Sequence, residues 1–401
     1  MPRSIAIYGD SISTYEGRTP EGFAVYYTPQ RAVACGLSGE RDTWWALLAD
    51  ALGGNVVANG AYSGSMVEGA GFPAARSPER IAAARAEDGA RLDDIVVFIG
   101  INDYGWGGPR NQAAGRVAAV PPRTDLSDIP AAEPGLVQPD EPAGFEAAYA
   151  EMLSGLRAEH PQTRIWCCAL VPGRVAGSPW PTFAWSLRGV PLRAYNEAIA
   201  RAAATAGGLF VDACALGLDY EAIDGTHPTA LGMRQLAGLF LAGMAAAGSP
   251  EAAQALGLDS LQPRAQTDAP TSGTRPTPDV SADLATARAA LLDDPRWGYA
   301  RDDAAKAPDT HAGFESTVPA PPCAIPPATT PGVDGTPAAP SALIAPQGSP
   351  WASRDWCPGR PCVGCPWARG TGKAWFCVCT RPRDGDATDA AAPQVGRPKA
   401  Q

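Results

Sequence analysis

Ser11 follows the apolar run Ile5-Ala6-Ile7-Tyr8 through Gly9 and Asp10, and far downstream stands Asp224-Gly225-Thr226-His227-Pro228. The chain holds only 3 histidines, and one lies in that second segment. A serine hydroxyl is a poor nucleophile near neutral pH. It needs an imidazole to take its proton and a carboxylate to orient the imidazole. An apolar strand that gives way to a turn would expose Ser11 Oγ at the strand end. Asp224 precedes His227 closely, and Gly225 lets the turn tighten enough for carboxylate and ring to meet. Acyl transfer through a serine nucleophile is the chemistry these residue types can perform. Of the other histidines, His160 precedes Pro161 at a helix end and reads as a surface residue, while His311 falls in a linker.

The elements that must position these groups follow from apolar periodicity. Strands are predicted at residues 4–8, 55–59, 94–99, 164–170 and 209–212. Helices are predicted at 42–52, 78–87, 145–160, 191–206 and 229–247, with Pro228 suited to the start of the last one. Strands alternating with helices predict an α/β fold: a three-layer α/β/α sandwich around a mostly five-stranded parallel sheet, flavodoxin-like. The polar turns at Gly9-Asp10-Ser11, Asn59 to Ser65 and Gly100 to Asp103 all follow strand ends, on the edge where ligands bind in open α/β sheets. Two long loops, 104–143 and 172–189, leave the same edge. Their Trp106, Trp180 and Trp185, with Tyr62, are candidate substrate contacts.

Composition bounds the partners. With 401 residues, a formal charge of -10 and 45% apolar residues, the chain reads as an acidic globular protein. That charge argues against nucleic acid and anionic membranes. Met1-Pro2-Arg3 leads straight into the first strand, and the apolar stretch Ala237 to Gly248 is too short to span a bilayer. The expectation is cytoplasmic. The 41 prolines concentrate toward the end, which suggests a globular body over 1–250, a disordered Pro/Ala/Thr-rich linker over 251–350, broken by one candidate short helix from Ser281 to Leu292, and a Cys/Trp-rich tail over 351–401. Cys35, Cys167, Cys168 and Cys214 read as small buried hydrophobes. In the tail, Cys357, Cys362, Cys365 and Cys377 have a zinc-like spacing. The single residue between Cys377 and Cys379, and the lack of aliphatic core, argue against a metal there. Disulfides are an alternative, and a loosely ordered extension is the preferred reading.

Four segments carry a resemblance to a known family. Gly9-Asp10-Ser11-Ile12, Asn59-Gly60-Ala61-Tyr62-Ser63-Gly64, Gly100-Ile101-Asn102-Asp103 and Asp224-Gly225-Thr226-His227 occur in this order. They resemble the sequence blocks of the SGNH (GDSL-type) hydrolase superfamily. The resemblance covers about residues 1–250. It implies Ser11 as nucleophile, His227 as base, Asp224 as its orienting acid, and an oxyanion hole from the N–H groups of Ser11 and Gly64 and the amide of Asn102. Asp10, Asp103 and Gly60 read as structural.

The expected function is hydrolysis of a small-molecule carboxylic (O-acyl) ester through an acyl-enzyme, with no cofactor and no metal. A sugar or secondary-metabolite ester is one candidate substrate. An acyltransferase using the same serine is the alternative, favoured if the tryptophans exclude water. A non-catalytic binding or scaffold protein, with the tail docking on an unnamed partner, is a third reading.

Overall fold

The computed structural model describes residues 2–113, 137–138, 140–178, 186–187, 189–258, 281–299, 368–370 and 375–377. In it, β1 (Arg3–Gly9), β2 (Gly54–Asn59), β3 (Asp94–Phe98), β4 (Arg164–Cys168) and β5 (Leu209–Val211) form one sheet in the order β2-β1-β3-β4-β5. Every pairing within it is parallel. All of β3 and the last five residues of β1 are buried. Covered on both faces, such strands read as continuous apolar runs rather than alternating ones.

Helices Ala143–Glu159 and Leu192–Ala206 pack on each other, as do Trp44–Ala51 and Ala230–Ala246, and these two pairs flank the sheet. Trp44 wedges between sheet and helix, edge-on to Phe98 at 5.9 Å and to Phe240 at 5.1 Å. Thr43 and Thr229 cap their helices by accepting from the N–H groups of Ala46 and Gly232, which satisfies donors the first turn leaves open. Pro228 therefore stands one residue ahead of the cap rather than in the first turn, and it bridges to Ala222 instead. The helix expected over 78–87 is shorter, Pro78–Ala82. The loop expected from Tyr104 opens instead with helices Ile101–Trp106 and Pro109–Ala113.

A charged cluster closes the N-terminal edge of the sheet. Asp94, fully buried, accepts from Arg3 Nη2 at 2.7 Å and from Arg164 Nε at 2.8 Å. Trp166 is a third partner, its Nε1 donating at 2.8 Å. Glu251 binds both arginines from the short helix Pro250–Ala255. A buried carboxylate is tolerable only with such partners.

The packing also runs past residue 250, where the globular body was expected to end. Helix Ser281–Asp293 lies on helix Ala230–Ala246 and buries Ala287 and Leu291. Trp297 is buried against Gly238, and Tyr299 OH donates to Asp219 O at 2.8 Å. The helix matches the short one expected from Ser281 to Leu292, but its packing on the body was not expected, because its inward face is made by few residues. Residues 259–280 and most of the tail lie outside the described residues. Two tail strands, Ala368–Gly370 and Trp375–Cys377, pair antiparallel. No described helix is long and apolar enough to cross a membrane.

If residues 281–299 belong to the core, Trp297→Ala in the full chain destabilises it by about 3–5 kcal/mol, the usual cost of truncating a buried aromatic. Urea unfolding followed by circular dichroism checks this; a change under 1 kcal/mol would make the segment an appendage.

Candidate active site

Strand register brings the candidate residues to one edge. Ile7 pairs with Asn59 across β1 and β2, and Gly9 pairs with Phe98 across β1 and β3. The three strands thus end together, and the turns that follow carry Ser11, Gly64 and Asn102. In this strand order the chain switches sides between β1 and β3, which opens a crevice there.

Ser11 begins a single 3-10 turn, Ser11–Ser13, capped by Asp10, whose Oδ1 accepts from Ile12 N–H at 3.1 Å. The turn is held from below. Ser13 O accepts from Trp45 Nε1 at 3.0 Å and from Asn59 Nδ2 at 2.9 Å. Thr14 Oγ1 donates to Ser11 O at 2.9 Å and accepts from Tyr26 N–H at 2.8 Å.

His227 arrives from the other end of the chain on a small hairpin. Strand Tyr220–Ala222 bridges to Pro228, and Ile223 N–H donates to His227 O at 2.9 Å. Inside the hairpin, Asp224 Oδ1 accepts from the backbone N–H groups of Thr226 at 2.9 Å and His227 at 2.8 Å. Gly225 supplies the left-handed conformation, φ 89°, that this Asx turn requires. Its carbonyl approaches Gly173 so closely that a Cβ there would sit 2.1 Å from the oxygen.

The three side chains meet in series. Asp224 Oδ2 lies 2.6 Å from His227 Nδ1, and His227 Nε2 lies 2.9 Å from Ser11 Oγ. The carboxylate only accepts, so Nδ1 carries the proton and Nε2 is left to accept from the serine hydroxyl. Burial alone would raise the Asp224 carboxyl. Its electrostatic interaction with His227, together with hydrogen bonds from His227 and Thr226, instead holds it below the ordinary value. Ser11 and His227 are both buried, which strengthens these bonds relative to water.

Gly64 stands half-buried in the turn Tyr62 to Ser65, at φ 80°, with no atom within 4 Å of where a Cβ would be. Asn102 lies in the first turn of its helix and donates one amide hydrogen to Ser65 O at 2.9 Å, leaving the other. Asp103 accepts from the N–H groups of Val67 and Glu68, both at 2.9 Å, and so ties the turn's exit to that helix. Tyr62 is half-buried, edge-on to Phe23 at 5.5 Å and Phe72 at 5.1 Å. Trp106 is buried, and Trp180 and Trp185 lie outside the described residues. Cys35, Cys167, Cys168 and Cys214 are buried free thiols. In the tail, Cys357, Cys362 and Cys365 lie outside the described residues, and only the backbone of Cys377 is described. Among the described residues no cluster of three or more metal-ligating side chains occurs.

Two residues at the site have no signal in the sequence blocks. The Tyr26 ring stacks on the His227 imidazole, with centroids 3.4 Å apart and planes 4° apart, and Tyr26 OH donates to Asp224 Oδ2 at 3.4 Å. It fixes the plane of the ring that must reach Ser11. Arg80 is fully buried and donates to Gly9 O, Gly60 O, Ser65 Oγ and Pro73 O. The aromatic run Phe23 to Tyr27 hints at the first. A buried arginine looks like any surface arginine when only its neighbours in sequence are known.

A parallel doubly wound sheet with a hydrogen-bonded Ser, His and Asp series at its C-terminal edge defines a hydrolase of the SGNH/GDSL class. The chain belongs to the GDSL-like Lipase/Acylhydrolase family, whose model matches residues 7–235, and this is a family of carboxylic ester hydrolases. Among solved structures, the chain is similar to a protein from Lactobacillus plantarum at 22% identity, covering 59% of this chain and 93% of that one, with a TM-score of 0.35. It is also similar to a carbohydrate esterase family 2 enzyme plus carbohydrate binding domain from Corynascus thermopiles (Myceliophthora fergusii), at 21% identity over 64% of this chain and 67% of that one, TM-score 0.36. A third is a family two carbohydrate esterase from Clostridium thermocellum in complex with cellohexaose, at 19% identity over 59% and 62%, TM-score 0.33. Among curated proteins, none matches the chain.

Asp10 gives the site a pH signature. Desolvation by burial pushes its carboxyl from 3.8 up to about 7, against the Ile12 N–H and the Arg80 charge. The folded protein then holds a proton that the unfolded chain has already released between these two values. The contribution of Asp10 to stability is thus full below about pH 4 and declines as pH rises to about 7. Asp10→Asn keeps the cap acceptor and removes the titration. Across that window the variant should gain on the wild type by roughly 2–4 kcal/mol in urea titrations; a constant difference would show that Asp10 does not titrate there.

Proposed function

We propose that the protein hydrolyses a carboxylic ester through an acyl-enzyme on Ser11. The observation that carries this is the continuous series from Ser11 Oγ to His227 Nε2 at 2.9 Å and from His227 Nδ1 to Asp224 at 2.6 Å. His227 takes the hydroxyl proton as Ser11 attacks the ester carbonyl, and Asp224 stabilises the imidazolium that forms. The negative charge on the carbonyl oxygen is met by the N–H groups of Ser11 and Gly64 and the free amide hydrogen of Asn102. His227 then protonates the departing alcohol, leaving the acyl group on Ser11. Water, deprotonated by His227, attacks this second ester, and collapse of the new tetrahedral centre releases the acid and restores Ser11. No step calls for a metal or redox group.

Each oxyanion donor is worth about 3–4 kcal/mol of transition-state stabilisation in enzymes of this chemistry. Tyr62 and Trp106 stand on the turn and helix that carry Gly64 and Asn102, and we assign them to the walls of the acyl or alcohol pocket. A small acyl ester of a sugar or a secondary metabolite is the substrate class this reading favours.

Hydrolysis of p-nitrophenyl acetate, butyrate and octanoate by the full chain tests the proposal. Ser11→Ala and His227→Ala should each lower kcat by on the order of 10⁵–10⁶, and Asp224→Asn by about 10⁴. A fluorophosphonate should add one adduct by intact mass to the wild type and none to Ser11→Ala. Ester hydrolysis retained by Ser11→Ala would overturn the assignment.

A further inference from the structure

The Arg80 guanidinium reaches the segments that carry all three proposed oxyanion donors. Arg80 Nη2 donates to Gly9 O at 2.8 Å, two residues before Ser11. Nε donates to Gly60 O at 3.1 Å and Nη1 to Ser65 Oγ at 2.6 Å, so the arginine grips the Gly64 turn from both sides. Nη1 also donates to Pro73 O at 3.0 Å. Ser65 extends the reach, because its carbonyl accepts from Asn102 Nδ2 at 2.9 Å.

Placing a charge there is costly. Among the described residues, every hydrogen bond of Arg80 goes to an uncharged oxygen, and burial lowers its pKa. The Tyr8 and Tyr62 rings, 5.2 Å and 5.7 Å away, offset part of that cost. A neutral side chain could satisfy one or two of these carbonyls at lower cost. A planar fork of five N–H groups is what can fix several chain segments relative to one another.

We propose that Arg80 is a positioning residue that sets the spacing of the Ser11, Gly64 and Asn102 donors. Its hydrogen bonds hold Gly9 and Ser65 at fixed separation, and Ser65 holds Asn102. The inference rests on the ester-hydrolase reading of the site. Arg80 touches no reacting atom.

Arg80→Lys in the full chain tests it, since lysine keeps the charge and loses the fork. Misplacement of donors by about 1 Å should lower kcat about 30–100-fold, with KM within 3-fold. An aryl boronic acid, whose adduct with Ser11 carries a tetrahedral anionic centre, should lose affinity in proportion to kcat/KM. An unreactive alcohol analogue of the leaving group should bind as before. The pH at which the acid limb of kcat falls should not move, because Asp224 and His227 are untouched. Ser65→Ala removes one anchor without altering Arg80 and should shift kcat and boronate affinity the same way by about 3–10-fold. It carries the test alone if Arg80→Lys does not fold. A folded Arg80→Lys with kcat within 2-fold of wild type, or a folded Ser65→Ala with unchanged boronate affinity, overturns the proposal. If Ser11→Ala retains activity, the ester-hydrolase reading fails first; if it is inactive while Arg80→Lys is normal, only the role of Arg80 fails.

Discussion

The structure depends on the parallel pairing of β1 with a neighbour on each side. Because Gly9 is in register with Phe98, and Ile7 with Asn59, three polar turns leave the sheet at one height. Shifting either pairing by one residue would turn every side chain of a strand to the opposite face. The register is therefore held by the full burial of Ile5, Ala6, Ile7 and Tyr8, and by the Asp94 cluster that joins β1, β3 and β4 at the opposite edge. Hydrophobic burial fixes the height of the turns, and hydrogen bonds within and between the turns fix the rest.

Those bonds answer an accounting problem. Crowding three turns over a sheet edge buries backbone polar groups that no strand or helix pairs. Short polar side chains absorb them. Asp10 takes Ile12 N–H, Asn59 serves both Ser13 O and Ala61 N–H, and Asp103 takes two N–H groups of the Gly64 turn's exit. Arg80 takes the carbonyls left over. Turns tied down in this way are what the proposed oxyanion stabilisation needs, since its donors must be in place before charge develops.

Much of this was legible before folding because it is local. An apolar run ending in Gly-Asp-Ser, and an Asp-Gly-Thr-His turn, dictate their own geometry through turn chemistry, and strand–helix alternation dictates a parallel sheet. The Asp224 turn forms through its own backbone N–H groups, so its shape needs no distant partner. What stayed hidden is what depends on distant packing. Tyr26 stacks on an imidazole some 200 positions away, and Arg80 meets three carbonyls and a serine hydroxyl at positions well apart in the chain; neither leaves a periodic trace. The helix near 281–292 was legible in the sequence, but its seat on the body was not, because an Ala-rich helix looks the same whether it is solvated or held by two or three inward residues. Ala287, Leu291 and Trp297 do that seating.

The two arms of the site are anchored to different parts of the chain, and this explains where precision must come from. Ser11 and His227 are 216 positions apart yet stand 2.9 Å from each other. The serine arm hangs from β1 and is held by Trp45 and Asn59. The histidine arm hangs from strand Tyr220–Ala222, and that strand is held by Gln235 of the long C-terminal helix, whose Oε1 accepts from Glu221 N–H at 2.8 Å while its Nε2 donates to Gly298 O at 3.4 Å. Arg288 Nε, donating to Leu216 O at 2.7 Å, and Tyr299 grip the loop that enters the same strand. The acid–base arm is thus braced by residues beyond the stretch matched by the family model. A local hydrogen bond of 2.9 Å between the arms can persist only if the core joining them is rigid on that scale. The bond that would do the chemistry is therefore a property of the whole packed body, the 281–299 segment included.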